Sequence, residues 1–191
     1  MAGKQAKILC DKHVERLLTY ARNSRYPDRN RIIVLLSIKA GLRAGEIAKL
    51  TWEMIVDPSG DVGRSIELLD IAAKKCSGRR IPLHEELRQV LIDWAHMTGA
   101  VGPVVRSERG GAMRPLSIVM WFARAYRELG MDGCSSHSGR RTFITRAARL
   151  VHAAGGSLRD VQILAGHRSI QTTQRYIEGD SDAQRRLVSL I

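Results

Sequence analysis

Apolar residues recur at helical spacing along the first fifty residues. The first stripe predicts a helix from about Asp11 to Arg22, and it consists of Leu9, Val14, Leu17, Leu18 and Ala21. A second helix opens at Pro27-Asp28, since proline is favoured in the first helical turn, and Gly41 is its expected stop. A short third helix is predicted through Glu46 and Lys49. This part of the chain is therefore predicted to be all α.

The pattern then changes to short apolar runs separated by turn residues. Runs at 52–56, 65–71 and 79–83 read as strands, and the turns between them lie at 57–60 and 75–78. Three short strands joined by tight turns predict a small three-stranded antiparallel sheet inserted early in the chain.

Helical spacing returns after the predicted sheet and continues to the C-terminus. Apolar stripes at 83–94, 119–129 and 144–151 predict three helices. Ser157 with Asp160 three residues later is a capping-box signature, and it opens a helix that ends at Gly166. Further helices are predicted from about Ser169 to Ile177 and from about Asp182. The expected fold is mainly α with one small sheet, in a single domain over residues 1–191.

Composition excludes several classes of protein. With 191 residues, 44% hydrophobic and 26% charged, the chain is long and apolar enough for a sizeable core, which argues against disorder. No apolar run reaches the roughly 18 residues that span a bilayer, so no membrane association is expected. The charged N-terminus lacks the apolar core of a signal peptide, and three scattered cysteines do not form a disulfide framework. A cytoplasmic location is the expectation.

Charge points to nucleic acid as the partner. Thirty-one basic against nineteen acidic residues give a net charge of +12, a balance typical of proteins that bind a polyanion. Residues 134–176 hold seven basic residues and one acidic residue, and all seven are arginine. Because the guanidinium group forks onto phosphate, this segment is the expected phosphate-binding region.

Two segments in the first half of the chain present basic side chains on turns. The turn Gly41 to Glu46 presents Arg43, and Glu46 is placed either to cap its own helix or to orient an arginine. The predicted hairpin at 73–80 carries Lys74 and Lys75. Taken alone, such features are usually an ordinary cap and a solvated turn, although a basic hairpin on a DNA-binding protein can enter a groove.

Two segments in the second half carry further candidates. His137 and Arg140 are three residues apart at a predicted helix start, so they project together where free backbone N–H groups favour an anion. Tyr176 lies about 120° away from the apolar face shared by Ile170 and Ile177. Taken alone, the His137–Arg140 pair fits an exposed basic turn, and Tyr176 fits a surface tyrosine packed on a neighbouring helix.

Together the four segments resemble the catalytic domain of the tyrosine recombinases, also called phage integrases. That family carries an Arg in a GLRxxE-like turn, a hairpin Lys, an HxxR pair, a His or Trp in an LxGH-like turn, and a nucleophilic Tyr nine residues later. The matching residues, in the same order and spacing, are Arg43, Lys74, His137, Arg140, His167 and Tyr176. The match runs from about Leu9 to Ile177. The resemblance implies the catalytic-domain fold, double-stranded DNA as substrate and four identical protomers on two DNA sites.

Phosphodiester cleavage through a covalent intermediate needs a nucleophile, neutralisation of the transition state and a proton donor for the leaving oxygen. The resemblance gives Tyr176 the first role, forming a 3′-phosphotyrosyl bond. Neutralisation of the transition state falls to four residues: Arg43, Arg140, His137 and His167. A further option for His167 is to help deprotonate the tyrosine. Lys74 protonates the departing 5′-oxygen, with Lys75 as the competing choice. Two arginines neutralise charge without a metal, and the covalent bond conserves energy, so no metal or cofactor is expected. Weaker DNA-binding candidates are Lys75, Arg79, Arg141 and Arg168.

The chain departs from the family pattern at Gly139 and in its length. Gly139 stands where many relatives have leucine inside HxxR, which predicts a looser helix start. The first helix begins almost at Met1, so the N-terminal core-binding domain of most relatives is expected to be absent, as in short stand-alone members such as the fimbrial inversion recombinases. The segment 181–191 either packs on its own domain or docks onto a neighbouring protomer.

Two other functions are compatible with the same residues. A type IB topoisomerase-like enzyme shares the chemistry but relaxes supercoiled DNA as a monomer without a preferred sequence. A non-catalytic DNA-binding regulator would keep the fold and lose cleavage. The HxxR pair with the LxGH-like turn favours the recombinase, which acts in integration, excision or inversion.

Overall fold

The structure is a computed structural model that describes residues 5–73, 77–176 and 188–189. It contains eight α-helices, one 3-10 helix and two strands within those residues. The α-helices are α1 (Asp11–Arg22), α2 (Pro27–Lys39), α3 (Ala44–Lys49), α4 (Glu85–Thr98), α5 (Pro115–Glu128), α6 (Ser138–Leu150), α7 (Leu158–Ala165) and α8 (Ile170–Gln174). The strands are β1 (Ser65–Leu68) and β2 (Arg79–Pro82). None of the helices in the described part of the chain is long and apolar enough to cross a bilayer.

Helices begin and end where local sequence signals predict. The expected bounds of α1 are confirmed, and Pro27 occupies the first turn of α2. At the start of α7 the Asp160 carboxylate accepts a hydrogen bond from the Ser157 backbone N–H at 2.8 Å, which confirms the capping box. Gly166 ends α7 in the left-handed conformation, with φ 61°. The helix predicted from Asp182 begins outside the described residues.

The predicted three-stranded sheet is corrected to two strands in the described residues. β1 and β2 pair antiparallel, with Ser65 opposite Pro82 and Leu68 opposite Arg79. The first predicted strand, at 52–56, is instead a 3-10 helix over Trp52–Met54 followed by an isolated bridge from Val56 to Val62. Burial explains the error, because Trp52, Met54 and Ile55 are all buried, and such a short apolar run fits either structure.

Helix α2 is the centre of the fold. Every residue from Ile32 to Ile38 is buried, and the helix contacts α1, α3, α4 and α6. A helix that is apolar on all sides is covered on all sides, which explains why its sequence shows a continuous apolar run rather than one stripe. A second apolar cluster joins α6 and α7, and Tyr176 packs against it. The elements that carry the candidate residues therefore rest on two connected cores.

Gly139 allows α6 to lie unusually close to α2. A Cβ atom at this position would lie 2.3 Å from Ser37 Oγ and 3.0 Å from Ile38 Cγ2, although the glycine is helical. Ser37 and Gly139 are both buried, so neither helix has open space into which a methyl group could turn. The departure from the family pattern thus has a local reason: the small residue sets the separation of two helices.

We expect Gly139→Ala to lower the free energy of unfolding by about 1–3 kcal/mol, because the added methyl forces the two helices apart. Urea unfolding measures this change. Ser37→Gly in the same chain should recover most of the loss by removing the side chain on the opposite helix. Gly45→Ala is the matched control, since a Cβ there meets nothing within 4 Å. A loss for Gly139→Ala no larger than for Gly45→Ala would contradict the close-packing explanation.

Candidate active site

The structure brings Arg43, Arg140, His167 and Tyr176 together from distant parts of the chain. His137, the fifth of the six candidates, lies beside Arg140 at the cavity described below. Arg43 is the N-cap residue of α3, and His137 is the N-cap residue of α6. Arg140 lies in the first turn of α6, His167 follows α7, and Tyr176 follows α8. The candidates Lys74 and Lys75 lie outside the described residues.

Arg140 is the hub of the site. Its guanidinium donates to the Gly41 carbonyl at 2.6 Å and to the Ala165 carbonyl at 2.5 Å, and its Nη2 lies 3.2 Å from His167 Nε2. The residue is buried, and burial is the main reason that its pKa is lowered, followed by the neighbouring charge of Arg43. The guanidinium nevertheless keeps its charge at neutral pH. It therefore ties the loop after α2 and the end of α7 to α6.

Gly41 supplies one of those carbonyls from a backbone conformation that requires glycine. Its φ is +64°, and a Cβ atom there would lie 2.4 Å from Phe143 Cδ1. The sequence predicts Gly41 as a helix stop, which is confirmed. The structure adds a second requirement, since the close approach to Phe143 on α6 lets the Gly41 carbonyl reach Arg140.

The Glu46 carboxylate lies between two arginines. Arg43 Nη1 donates to Glu46 Oε1 at 2.6 Å, and Arg79 Nη2 donates to Glu46 Oε2 at 3.1 Å. Burial alone would raise the pKa of this carboxyl, but the hydrogen bonds and charges of Arg79 and Arg43 outweigh it and lower the pKa. Glu46 is thus a buried anion that orients Arg43, whose side chain remains 22% exposed.

His167 has a defined tautomer in this arrangement. Arg140 has only donors, so the His167 Nε2 that faces it at 3.2 Å accepts, and the ring proton resides on Nδ1. Nδ1 then donates to Thr173 Oγ1 at 3.0 Å. The His167 ring also stacks on Tyr176, with centroids 5.4 Å apart and planes 25° from parallel. The nitrogen on the arginine side is therefore unprotonated and accepts a hydrogen bond from Arg140, in a ring that stacks on the candidate nucleophile.

The site keeps His167 neutral. Desolvation first, and then the charges of Arg140, Arg43 and Arg79, lower the pKa of His167 to about 4. A neutral imidazole has an unprotonated nitrogen that can accept a proton, but a pKa this low makes it a weak base until an anion such as a phosphate lies beside it.

We expect His167 to make the free energy of unfolding depend on pH between about 6.5 and about 4. The unfolded chain protonates this histidine near 6.5, whereas the folded chain does so only near 4, so stability falls as the pH drops through this window. Urea unfolding of wild type and His167→Gln over pH 4–8 measures the difference. The wild type should lose more stability than the variant in that window, and parallel curves would contradict the lowered pKa.

A cavity of about 260 Å³ opens beside these residues. Its lining is strongly basic and contains His137, Arg140, Arg141, Thr172, Arg175 and Tyr176. Within the described part of the chain, no group of three or more His, Cys, Asp or Glu side chains is placed to hold a metal ion. The concentration of guanidinium groups suits a phosphate group, which accepts their forked hydrogen bonds.

The weaker DNA-binding candidates have different positions. Arg141 lines the cavity and donates to the Ala6 carbonyl at 2.8 Å, and Arg168 is exposed beside His167. Arg79 differs from the prediction, because its side chain is only 3% exposed and ion-paired with Glu46. A basic residue at a hairpin tip was expected to face solvent, but β2 turns this side chain toward α3 and α7.

Sequence reasoning left out two residues that the structure brings to the site. Thr173 is buried and holds the histidine tautomer, and Arg175 lines the cavity. The position of Thr173 three residues before Tyr176 was an available signal, since residues three apart on a helix are neighbours. The position of Arg175, directly before Tyr176, gives no such signal.

Comparison with known proteins identifies a family and several similar proteins. The profile of the phage integrase family matches residues 7–182. The tyrosine recombinase XerC of Erythrobacter litoralis (strain HTCC2594) is 29% identical over 192 aligned residues, which cover 97% of this chain and 58% of that protein. XerC of Methylobacterium nodulans is 30% identical over 158 residues, which cover 80% of this chain and 46% of that protein. The chain spans about half the length of the curated relatives it matches.

Solved structures share the fold. The crystal structure of XerA recombinase superimposes with a TM-score of 0.74 at 22% identity, and the match covers 100% of this chain and 65% of that one. The Tn1549 transposon integrase in complex with transposon right end DNA gives a TM-score of 0.76 at 19% identity, covering 97% and 66% of the two chains. With the family profile covering nearly the whole sequence, the conclusion is that this chain belongs to the phage integrase family.

Proposed function

We propose that this chain catalyses site-specific DNA recombination, breaking and rejoining strands through a 3′-phosphotyrosyl intermediate. The observation that carries the proposal is that Tyr176 and Arg140 line one basic cavity and that His167 contacts both of them. The relatives named tyrosine recombinase XerC support it. A phosphate in the cavity would lie between the guanidinium groups and the candidate nucleophile.

In the first step the Tyr176 hydroxyl oxygen attacks the scissile phosphorus, and the bond from phosphorus to the 5′-oxygen breaks. His167 Nε2 is unprotonated and its ring stacks on the tyrosine, so it accepts the phenolic proton once the DNA phosphate, in place of Nε2, accepts the hydrogen bond from Arg140. The tautomer thus favours proton acceptance over donation to the phosphate. Arg140 and Arg43, with His137, neutralise the charge that develops on the non-bridging oxygens.

The proton for the departing 5′-oxygen comes from Lys74 in this proposal, and Lys75 is the alternative donor. In the second step the 5′-hydroxyl of a partner strand attacks the phosphorus and gives its proton back to the lysine. The bond from phosphorus to Tyr176 breaks, and the tyrosine oxygen takes its proton back from His167. One phosphodiester is exchanged for another of equal energy, so the sequence of steps consumes no nucleotide.

The proposed partners follow from this chemistry. Double-stranded DNA is the substrate, and exchange between two sites requires four active sites, which a homotetramer of this chain would supply. Tyr176 lies beside the His167 and Arg140 of its own chain, which supports delivery of the nucleophile in cis. We place this activity in the cytoplasm, at the nucleoid.

Covalent capture tests the proposal without knowledge of the target site. The protein is incubated with duplexes that contain thirty randomised base pairs, the reaction is stopped with detergent, and DNA bound to protein is sequenced. We expect covalent adducts enriched for one sequence with inverted symmetry. Binding of an enriched sequence without any adduct would instead indicate a regulator.

Plasmid relaxation separates the proposed function from its closest alternative. A type IB topoisomerase-like enzyme relaxes negatively supercoiled plasmid of any sequence, whereas a recombinase exchanges strands between two copies of the captured site. Recombinant products from a plasmid that carries two such sites support the proposal. Efficient relaxation of plasmids that lack the site, with no recombinant product, contradicts it.

A further inference from the structure

Arg79 makes contacts in three directions while lying outside the cavity. Its Nη2 and Nη1 lie 3.1 Å and 3.3 Å from the two Glu46 oxygens, and its Nε donates to the Leu164 carbonyl at 2.8 Å. Its Nη1 also lies 3.4 Å from the carbonyl of Ser77, two residues before the strand begins. The side chain is 3% exposed, so these contacts are made away from water.

Two of these contacts lead to candidate catalytic groups. Glu46 also accepts from Arg43 at 2.6 Å, so Arg79 holds the carboxylate that orients Arg43. Leu164 lies in the last turn of α7, directly before the turn that carries His167.

The turn before His167 packs directly on the Arg79 guanidinium. A Cβ atom at Gly166 would lie 2.9 Å from Arg79 Nη1 and 3.0 Å from Arg79 Cδ. The glycine therefore serves two purposes, the left-handed end of α7 and close contact with this arginine. A shift of the guanidinium would displace the turn and the histidine that follows it.

A purely structural explanation accounts for only part of this geometry. Buried ion pairs contribute little net stability, and an apolar side chain of similar volume often replaces one without loss. An apolar side chain, however, cannot bind a carboxylate with two nitrogens and a carbonyl with a third. Only the planar fork of arginine meets Glu46 and Leu164 together, and lysine has a single nitrogen for both.

We propose that Arg79 is a positioning residue, which holds Arg43, through Glu46, and the turn of His167 in fixed relation around the phosphate. The inference rests on the proposed function and deepens it, because Arg79 lies outside the lining of the cavity and acts through Glu46 and the end of α7. Its neighbour Arg80 has the opposite environment: the side chain is 73% exposed and pairs on the surface with Glu67. The two residues therefore form a matched pair for substitution.

The test compares Arg79→Lys with Arg80→Lys on a nicked duplex that carries the sequence captured from the random pool. The equilibrium Kd for DNA and the single-turnover rate of adduct formation are measured for each. For Arg79→Lys we expect a rate about 100-fold lower, as for reacting groups misplaced by around 1 Å, with a Kd within about threefold of wild type. Arg80→Lys should keep the wild-type rate.

Melting curves verify that each variant is folded at the assay temperature. A variant that is partly unfolded at the assay temperature is assayed in trimethylamine N-oxide, which favours the folded state. An unchanged rate for Arg79→Lys, while the wild type forms adduct, overturns the positioning role and leaves the proposed function intact. Equal losses in rate and affinity also overturn it, since they indicate a direct DNA contact. A wild type that forms no adduct on any duplex refutes the proposed function instead.

Discussion

Tyr176→Phe is expected to abolish the covalent protein–DNA adduct, lowering its rate of formation by ~10⁴-fold or more. The substitution removes the one oxygen that bonds to phosphorus, and no other group at the cavity is placed to replace it in the proposed steps. The fold should survive, because the ring that stacks on His167 is retained. Adduct formation on the captured nicked duplex, read as a band of raised mass on a denaturing gel, measures the effect.

Tyr126→Phe is the matched control for this prediction. Tyr126 is buried in the main core, and its hydroxyl has no hydrogen-bond partner among the residues that the structure describes. Removing that hydroxyl should leave the rate, the affinity and the fold unchanged. Adduct formation by Tyr176→Phe at the rate of the Tyr126→Phe protein would refute the assignment of the nucleophile.

Arg140→Ala is expected to have the next largest effect, with adduct formation slowed by ~10³-fold. The variant loses a cation that faces the developing charge, a contribution comparable to that of one strong donor in an anion-stabilising site. It also leaves the Gly41 and Ala165 carbonyls without their donor, which should lower the free energy of unfolding by about 2–4 kcal/mol. Single-turnover kinetics and urea unfolding measure the two effects separately.

Arg140→Lys separates catalysis from stability. Lysine keeps the charge but offers one nitrogen in place of a fork, so the protein should recover part of its stability and little of its rate. Arg149→Lys, at the exposed end of the same helix, is the control for the same exchange and should change neither quantity. If Arg140→Lys cleaves as fast as wild type, the forked contact with phosphate is not needed, and the proposed role is incorrect.

Local signals predicted much of the fold because they act over a few residues. Pro27, the Ser157–Asp160 capping box and Gly166 each determine a helix end through backbone geometry that the neighbouring sequence specifies. The prediction was wrong at 52–56, where a short buried apolar run gives no periodicity that separates a strand from a 3-10 turn. Packing against the core decided that segment.

The candidate site was predicted as a set of types and spacings, not as an arrangement. The order of Arg43, His137, Arg140, His167 and Tyr176 along the chain indicated the chemistry through resemblance to a family. Gly139 was predicted to loosen the start of α6, whereas the structure shows the opposite consequence: close packing against Ser37. A residue's effect on packing depends on its partner on another helix, which the chain's own order does not reveal.

The sequence by itself determined the helical class and the basic charge, because these depend on composition and periodicity, and it indicated the family and the candidate groups through the resemblance of its motifs. Only the tertiary structure decided that Arg79 faces inward to Glu46 and Leu164, that Arg140 binds the Gly41 and Ala165 carbonyls, and that His167 holds its proton on the side of Thr173. Burial, hydrogen-bond partners and tautomers are properties of groups brought together from distant positions. They are set when folding removes those groups from water, because each buried donor then needs an acceptor within the protein.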